Sequence, residues 1–269
     1  MDFTGKTIWI TGASSGIGAG LATAFARAGA RLVLSGRNTE ALAEVAGRCQ
    51  AQVLQLPFET TDLAALPAIV AQAEAFTGGI DILVNNAGIS QRSLALDTDF
   101  DVYRTIMEVD FFAPLRLTQL VLPAMVARGS GAIINNASVA GKVGSPLRTA
   151  YCAAKHAMVG WSDALRAETA QYGLTVHVVT PGFVATHIAD NALLGDGSVK
   201  GHDANDPVNQ GISIDEAATI ILDALATDTP EIPVGRTGAP EMALLDLMRQ
   251  NPAQLFQVMA NMAPKVPRG

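Results

Sequence analysis

Short runs rich in Val, Ile, Leu and Thr recur along the chain, each followed by a longer stretch whose apolar residues fall at helical spacing. Residues 7–11 (TIWIT), 31–36 (RLVLSG), 52–58 (QVLQLPF), 82–85 (ILVN), 131–136 (GAIINN), 174–180 (LTVHVVT) and 231–234 (EIPV) read as strands. They are mostly continuous apolar runs with little alternation, which is the mark of strands covered on both faces. Helices are predicted over 17–28, 40–48, 63–76, 100–126, 150–172 and 215–226. Strand and helix in alternation predict an α/β fold with a doubly wound, seven-stranded parallel sheet and helices on both faces. Right-handed crossovers then place a ligand at the carboxyl ends of the strands, beside the switch in strand order.

Two segments break the alternation. Residues 190–213 (DNALLGDGSVKGHDANDPVNQGIS) are dense in Gly, Asn and Asp, so an irregular, mobile loop is expected there. The extension over 239–269 carries two short helical apolar faces, interrupted at Asn251 and Pro252 and rich in methionine. Such faces suit core or subunit contact, an apolar pocket wall or a membrane surface. No repeat or linker divides the 269 residues, and 49% hydrophobic content suffices for one sizeable core.

Composition narrows the function classes. A net charge of -7 without clustered Lys or Arg argues against a nucleic-acid partner. Mean hydropathy is high at +0.28, yet no uncharged apolar run reaches the ~18 residues of a transmembrane span. The start MDFTGKTIWI enters a strand with no basic and apolar leader, so a cytoplasmic protein is expected. Cys49 and Cys152 form neither a disulfide framework nor a metal set, and Cys152 reads as a small buried hydrophobe.

Candidate chemistry lies in two motifs. Gly12, Gly16 and Gly18 in TGASSGIG connect the first strand to the first helix. Glycine there allows a tight turn and close approach to a pyrophosphate, which the free N–H groups of the helix start would bind. Tyr151 and Lys155 are four residues apart in YCAAK, on one helix face, with Ser138 arriving from a strand end. A phenol titrates near ~10, and a neighbouring ammonium would bring it toward neutral pH. Taken alone, YxxxK is most simply a surface helix; a nucleotide cradle in the same chain changes that weighing.

TGASSGIG, then NNAG at 85–88, Ser138, YCAAK and the PG pair at 181–182 resemble, in order and interval, the short-chain dehydrogenase/reductase family, over residues 6–234. DFFAPLRLTQLVLPAM and AYCAAKHAM are most similar to its 7B-like members and their bacterial relatives. The resemblance implies a single NAD(P)-binding Rossmann domain and a homodimer or homotetramer. Leu117, Leu120, Val121, Trp161 and Leu165 are candidates for the subunit contact. It further implies that Ser138 hydrogen-bonds the substrate oxygen, Tyr151 moves the proton, and Lys155 holds the nicotinamide ribose. Gly12, Ser14, Ser15, Gly16, Ile17 and Gly18 would form the cradle, Glu59 and Thr60 the adenine region, and Asn86, Ala87 and Gly88 the loop behind the ribose. Pro181, Gly182, Val184 and Thr186 would orient the carboxamide, and residues 190–213 would form a substrate lid.

Cofactor choice is read at the end of the second strand. An enzyme preferring NAD carries Asp or Glu there, whereas this chain has Gly36 followed by Arg37, with Ser14 or Ser15 in reach of a phosphate. NADP(H) is therefore expected. One departure concerns Asp110, which stands where the family has an asparagine whose backbone carbonyl helps hold a water near the lysine. A buried carboxylate there would change the electrostatics around Lys155; an exposed helical aspartate would do nothing. Pro114 is expected to bend the same helix. The reading is an NADPH-dependent oxidoreductase interconverting a carbonyl and an alcohol on a small-to-medium apolar substrate. Dehydratase or epimerase chemistry on the same scaffold, and a non-catalytic nucleotide-binding redox sensor, are the alternatives.

Overall fold

The computed structural model describes residues 1–264; residues 265–269 of the C-terminal extension lie outside the described residues. Strands β1 (Thr7–Thr11), β2 (Arg31–Ser35), β3 (Val53–Gln55), β4 (Ile82–Asn85), β5 (Gly131–Asn136), β6 (Leu174–Pro181) and β7 (Glu231–Val234) form one sheet in the order β3-β2-β1-β4-β5-β6-β7. Every neighbouring pair is parallel. The order reverses between β1 and β4, which opens a crevice at their carboxyl ends.

Helices α1 (Gly16–Arg27), α2 (Thr39–Arg48) and α7 (Ile214–Ala226) cover one face, where Phe25, Leu42 and Ile221 pack on Ile10 and Leu34. Helices α3 (Leu66–Thr77), α5 (Ala113–Arg128) and α6 (Thr149–Thr169) cover the other, where Leu66, Met125 and Leu165 pack on Trp9 and Ile133. Leu117, Val121 and Leu165, candidates for subunit contact, are buried here in the chain's own core. Only Leu120 and Trp161 of that set remain partly exposed.

Several boundaries move for reasons of proline chemistry. β3 stops at Gln55, short of the expected residue 58, because Pro57 has no N–H to continue the ladder. α3 begins at Leu66, not 63, which places Pro67 in the first turn where a missing donor costs nothing. The long helix expected over 100–126 is α4 (Phe100–Met107), a π turn (Glu108–Phe112) and then α5. Pro114 is the cause: it lacks the N–H that Asp110 would receive four residues on, and its ring crowds that same carbonyl. The ladder slips by one residue, and the Ala113 N–H bonds to the Glu108 carbonyl. By length and composition Phe100–Arg128 is apolar enough to cross a membrane; here Leu117, Val121 and Met125 seat it under the sheet.

The segment 190–213 is irregular, as expected, and it is tied into the molecule at several points. Leu193 bridges both Gln91 and Val199, and residues Pro207–Gln210 form a 3₁₀ turn. Arg92 pairs with Asp206 at 3.4 Å and Lys200 with the same carboxylate at 3.3 Å. Helices α8 (Pro240–Gln250) and α9 (Pro252–Met262) follow β7, and Leu245, Leu255 and Met259 pack on Val139 and Val143.

Candidate active site

At the end of β1 the chain turns at Gly12, with φ of +63°. A Cβ on Gly12 would stand 2.8 Å from the Ala87 Cα, and one on Gly18 2.4 Å from the Gly12 carbonyl oxygen and the Asn86 Nδ2. Both glycines are thus required by close approach of β1, α1 and the loop after β4. Ser15 is the N-cap of α1, but its side chain caps nothing, which leaves the first-turn donors to an anion. Thr186 brings the segment after β6 to the same place, its methyl 3.3 Å from where a Gly16 Cβ would be. This cradle fits a nucleotide diphosphate.

The loop after β4 is fastened by Thr11, whose hydroxyl accepts from the N–H groups of Asn86 at 3.0 Å and Ala87 at 3.1 Å. Asn86 donates back to the Thr11 carbonyl at 3.0 Å and accepts from Asn136 at 2.8 Å. Its side chain is therefore committed to joining β1, β4 and β5, and with its N–H given to Thr11 only its backbone carbonyl is left for a ligand. Thr60 lines a narrow cleft with Phe58, Ala87 and Val109, at the place expected for adenine. Arg37 and Glu59 sit at the outer rim, 3.5 Å apart and both exposed.

Tyr151 and Lys155 share one face of α6, with the ammonium 5.6 Å from the phenol ring centroid. Both are buried, yet no group among the described residues hydrogen-bonds the Tyr151 hydroxyl. Ser138, two residues past β5, accepts from the Ala140 N–H at 3.1 Å and donates to the Pro181 carbonyl at 3.4 Å. The second bond is long and easily exchanged for a substrate oxygen. Lys155 donates to the Asn136 carbonyl at 3.1 Å, and the Asp110 carboxylate lies 3.3 Å from its nitrogen. Asp110 is 1% exposed, so the expectation of a buried carboxylate beside Lys155 holds and that of a solvated one fails. Burial pushes the Asp110 carboxyl above its ordinary range, against the pull of Lys155.

Several supporting residues escaped the sequence reading. Gln91 accepts the Ala150 N–H at 2.7 Å, capping α6 one residue before Tyr151, because the N-cap residue Arg148 makes no side-chain cap. Asn85 joins Thr118 and Asn135 at 2.9 and 2.8 Å, and Asn135 joins Ser162 at 2.8 Å, a buried polar chain beneath the site. For Asn85 and Asn135 the signal was available as polar residues toward the ends of otherwise apolar strands, a local break in pattern that marks functional regions.

The family model for short chain dehydrogenases matches residues 6–195. Dehydrogenase/reductase SDR family member 7B of Mus musculus is 39% identical over 264 residues, covering 95% of this chain and 80% of that one. A short chain dehydrogenase of Burkholderia cenocepacia, solved in complex with NADP, aligns with a TM-score of 0.79 at 26% identity, over 96% of this chain and 99% of that one. A Burkholderia phymatum short chain dehydrogenase/reductase in complex with NAD shares the fold, with a TM-score of 0.81 at 24% identity, covering 100% of this chain and 99% of that one. Motif order, sheet order and these likenesses agree: the chain belongs to the short-chain dehydrogenase/reductase family of oxidoreductases.

Proposed function

We propose that the chain is an NADPH-dependent oxidoreductase that interconverts a carbonyl and an alcohol on a small-to-medium apolar substrate. The observation that carries this is the unpartnered Tyr151 hydroxyl on the same helix face as Lys155, whose nitrogen lies beside Gly88 in the loop that packs on the glycine cradle. NADP(H), when bound, supplies or accepts the hydride. The backbone from Gly12 through Gly18 would hold its diphosphate, while Arg37 and Ser14 would meet the 2′-phosphate. Ser138 gives up its long bond to Pro181 and donates to the substrate oxygen. Tyr151 then delivers the proton that turns this oxygen into an alcohol, or removes it in the reverse direction. Lys155 favours the anionic form of the phenol that remains. The helices α8 and α9, behind Val139 and Val143, give the substrate side an apolar wall. We assign the enzyme to the cytoplasm as a homodimer or homotetramer; a single-subunit mass at micromolar concentration would contradict the assembly.

The test is a panel of carbonyl compounds with NADPH oxidation followed at fixed pH, for the native chain and Tyr151→Phe. Turnover in the variant should drop by ~10²–10⁴-fold, the range of general acid–base catalysis, while NADPH affinity by fluorescence titration stays within about threefold because the ring remains. Near-normal turnover would remove Tyr151 from the mechanism. Cofactor binding without consumption across the panel would favour a nucleotide-binding sensor.

A further inference from the structure

The Asp110 side chain touches the proposed proton-transfer group without being part of it. The π turn forced by Pro114 packs against α6 and carries Asp110 into the interior. Its Oδ1 accepts the Ile89 N–H at 2.8 Å. Its Oδ2 is 3.3 Å from the Lys155 nitrogen and, among the described residues, has no directed hydrogen bond. Lys155 spends its directed bond on the Asn136 carbonyl at 3.1 Å. The ammonium is thus held between an oxygen of β5 and a carboxylate of the π turn, with the phenol ring on a third side.

We infer that Asp110 is a positioning residue: it pins the Lys155 ammonium against the Asn136 carbonyl and offsets its charge, so that proton transfer at Tyr151 operates at higher pH than a neutral side chain at position 110 would allow. The inference rests on the proposed roles of Tyr151 and Lys155. In the low-dielectric interior a carboxylate and an ammonium 3.3 Å apart attract each other far more strongly than the same pair would in water, and a lysine so paired has less charge to lend a phenol. Burial works against the charge on Lys155, yet Asp110, and after it Tyr151, hold the ammonium above its ordinary range.

Most other charges near the pair are engaged elsewhere. Arg92, with Arg148 beside it, lies within electrostatic reach of Tyr151, but its guanidinium is paired with Asp206. The turn after Ser138 directs Lys142 to Glu231 at 2.9 Å. α4 lays Arg104 over Phe100, and β6 turns His177 to the Thr229 carbonyl. Among the described residues, β5 gives the pair the Asn136 carbonyl and the loop after β4 the Ile89 N–H.

Asp110→Asn is the isosteric test, since its amide oxygen can still accept from Ile89. Chains carrying ¹³Cε-labelled lysine are titrated by NMR, and kcat/KM for carbonyl reduction is profiled against pH. The Lys155 signal should titrate about one pH unit or more lower in the variant than in the native chain. The pH–rate limb should move to lower pH as well, because loss of a negative charge favours deprotonation of every neighbouring group. Should the variant fail to fold, Asp110→Ala is titrated with and without formate, a carboxylate small enough for the gap, and formate should raise the Lys155 midpoint. Coincident Lys155 titrations would overturn the inference. So would a variant that binds NADPH and has lost all turnover, since the carboxylate would then carry the proton itself. The NMR arm needs no substrate, so a chain inactive on every carbonyl compound would sink the proposed reaction while leaving this arm decisive.

Discussion

On the proposed reading, Gly36 and Arg37 set the terms on which the ribose end of a nucleotide meets the chain. A Cβ at position 36 would lie 3.0 Å from the Ser14 hydroxyl and 3.3 Å from its Cβ, so a carboxylate added there comes up against Ser14, where the 2′-phosphate is proposed to sit. The Arg37 side chain is 73% exposed and, among the described residues, pairs only with Glu59, and such a surface pair is worth about 0–1 kcal/mol. The guanidinium can leave it for a phosphate at little cost. Gly36→Asp with Arg37→Ala should therefore lower the ratio of kcat/KM for NADPH over NADH by roughly tenfold or more, since a charged contact is lost and a repulsive one added. An unchanged ratio would mean that the 2′-phosphate is read elsewhere. At this scale the sequence was legible where chemistry is unusual for its setting: a phenol one turn from an ammonium, glycines at a strand end, a missing carboxylate. Gln91 and Thr11 were not legible, because an amide or a hydroxyl means little until its partner is known. The partner of Gln91 lies 59 residues away.

Elements were readable at their centres and less so at their ends. Apolar runs placed every strand, but Pro57 and Pro67 decided where β3 ends and α3 begins. Pro114 announced a bend in the long helix, while the π turn it produces was hidden, since a one-residue slip barely alters helical periodicity. The start of α6 is the clearest case of an element completed from outside. Gln91 is fully buried and supplies the acceptor for the Ala150 N–H, while its amide nitrogen reaches Ser93 and Thr98, each at 3.0 Å. Gln91→Ala should leave a buried donor unpaired, at a cost of ~1–3 kcal/mol. In a chain of this size that is a fall in Tm of about 2–4 °C per kcal/mol, measurable by calorimetry. Because Tyr151 is the next residue, kcat should fall while NADPH affinity is kept. An unaltered Tm would show that α6 does not depend on this cap.

Across the whole molecule, alternation of strand and helix located the candidate site at the switch in strand order, but not the way residues 190–213 are tied to the loop after β4. Gly- and Asn-rich composition reads as looseness; the tie is made by charges from a distant loop, with Arg92 and Asp206 separated by 114 positions. That tie should be sensitive to acid. Burial opposes the charge on Asp206, but the Val208 N–H, Arg92 and Lys200 outweigh it and hold the carboxyl below its usual range. Asp190 is held down to about 2, first by the hydrogen bond from His202 and then by that from His187. Carboxyls with folded values below the unfolded ~3.9 contribute fully above that value and lose their contribution as pH falls through the folded values. Between pH 7 and 5 the segment should keep its protection in hydrogen-exchange mass spectrometry, after correction for intrinsic rates. From about pH 4 downward it should open ahead of the sheet, because β1, β4 and β5 are held mainly by ladder hydrogen bonds and apolar contacts that do not titrate. Asp206→Asn should weaken protection of the segment already at pH 7, since Arg92, with its side chain only 11% exposed, keeps its charge and loses its partner. If the segment and the sheet open together at every pH, in both forms, these ion pairs are not what holds it closed.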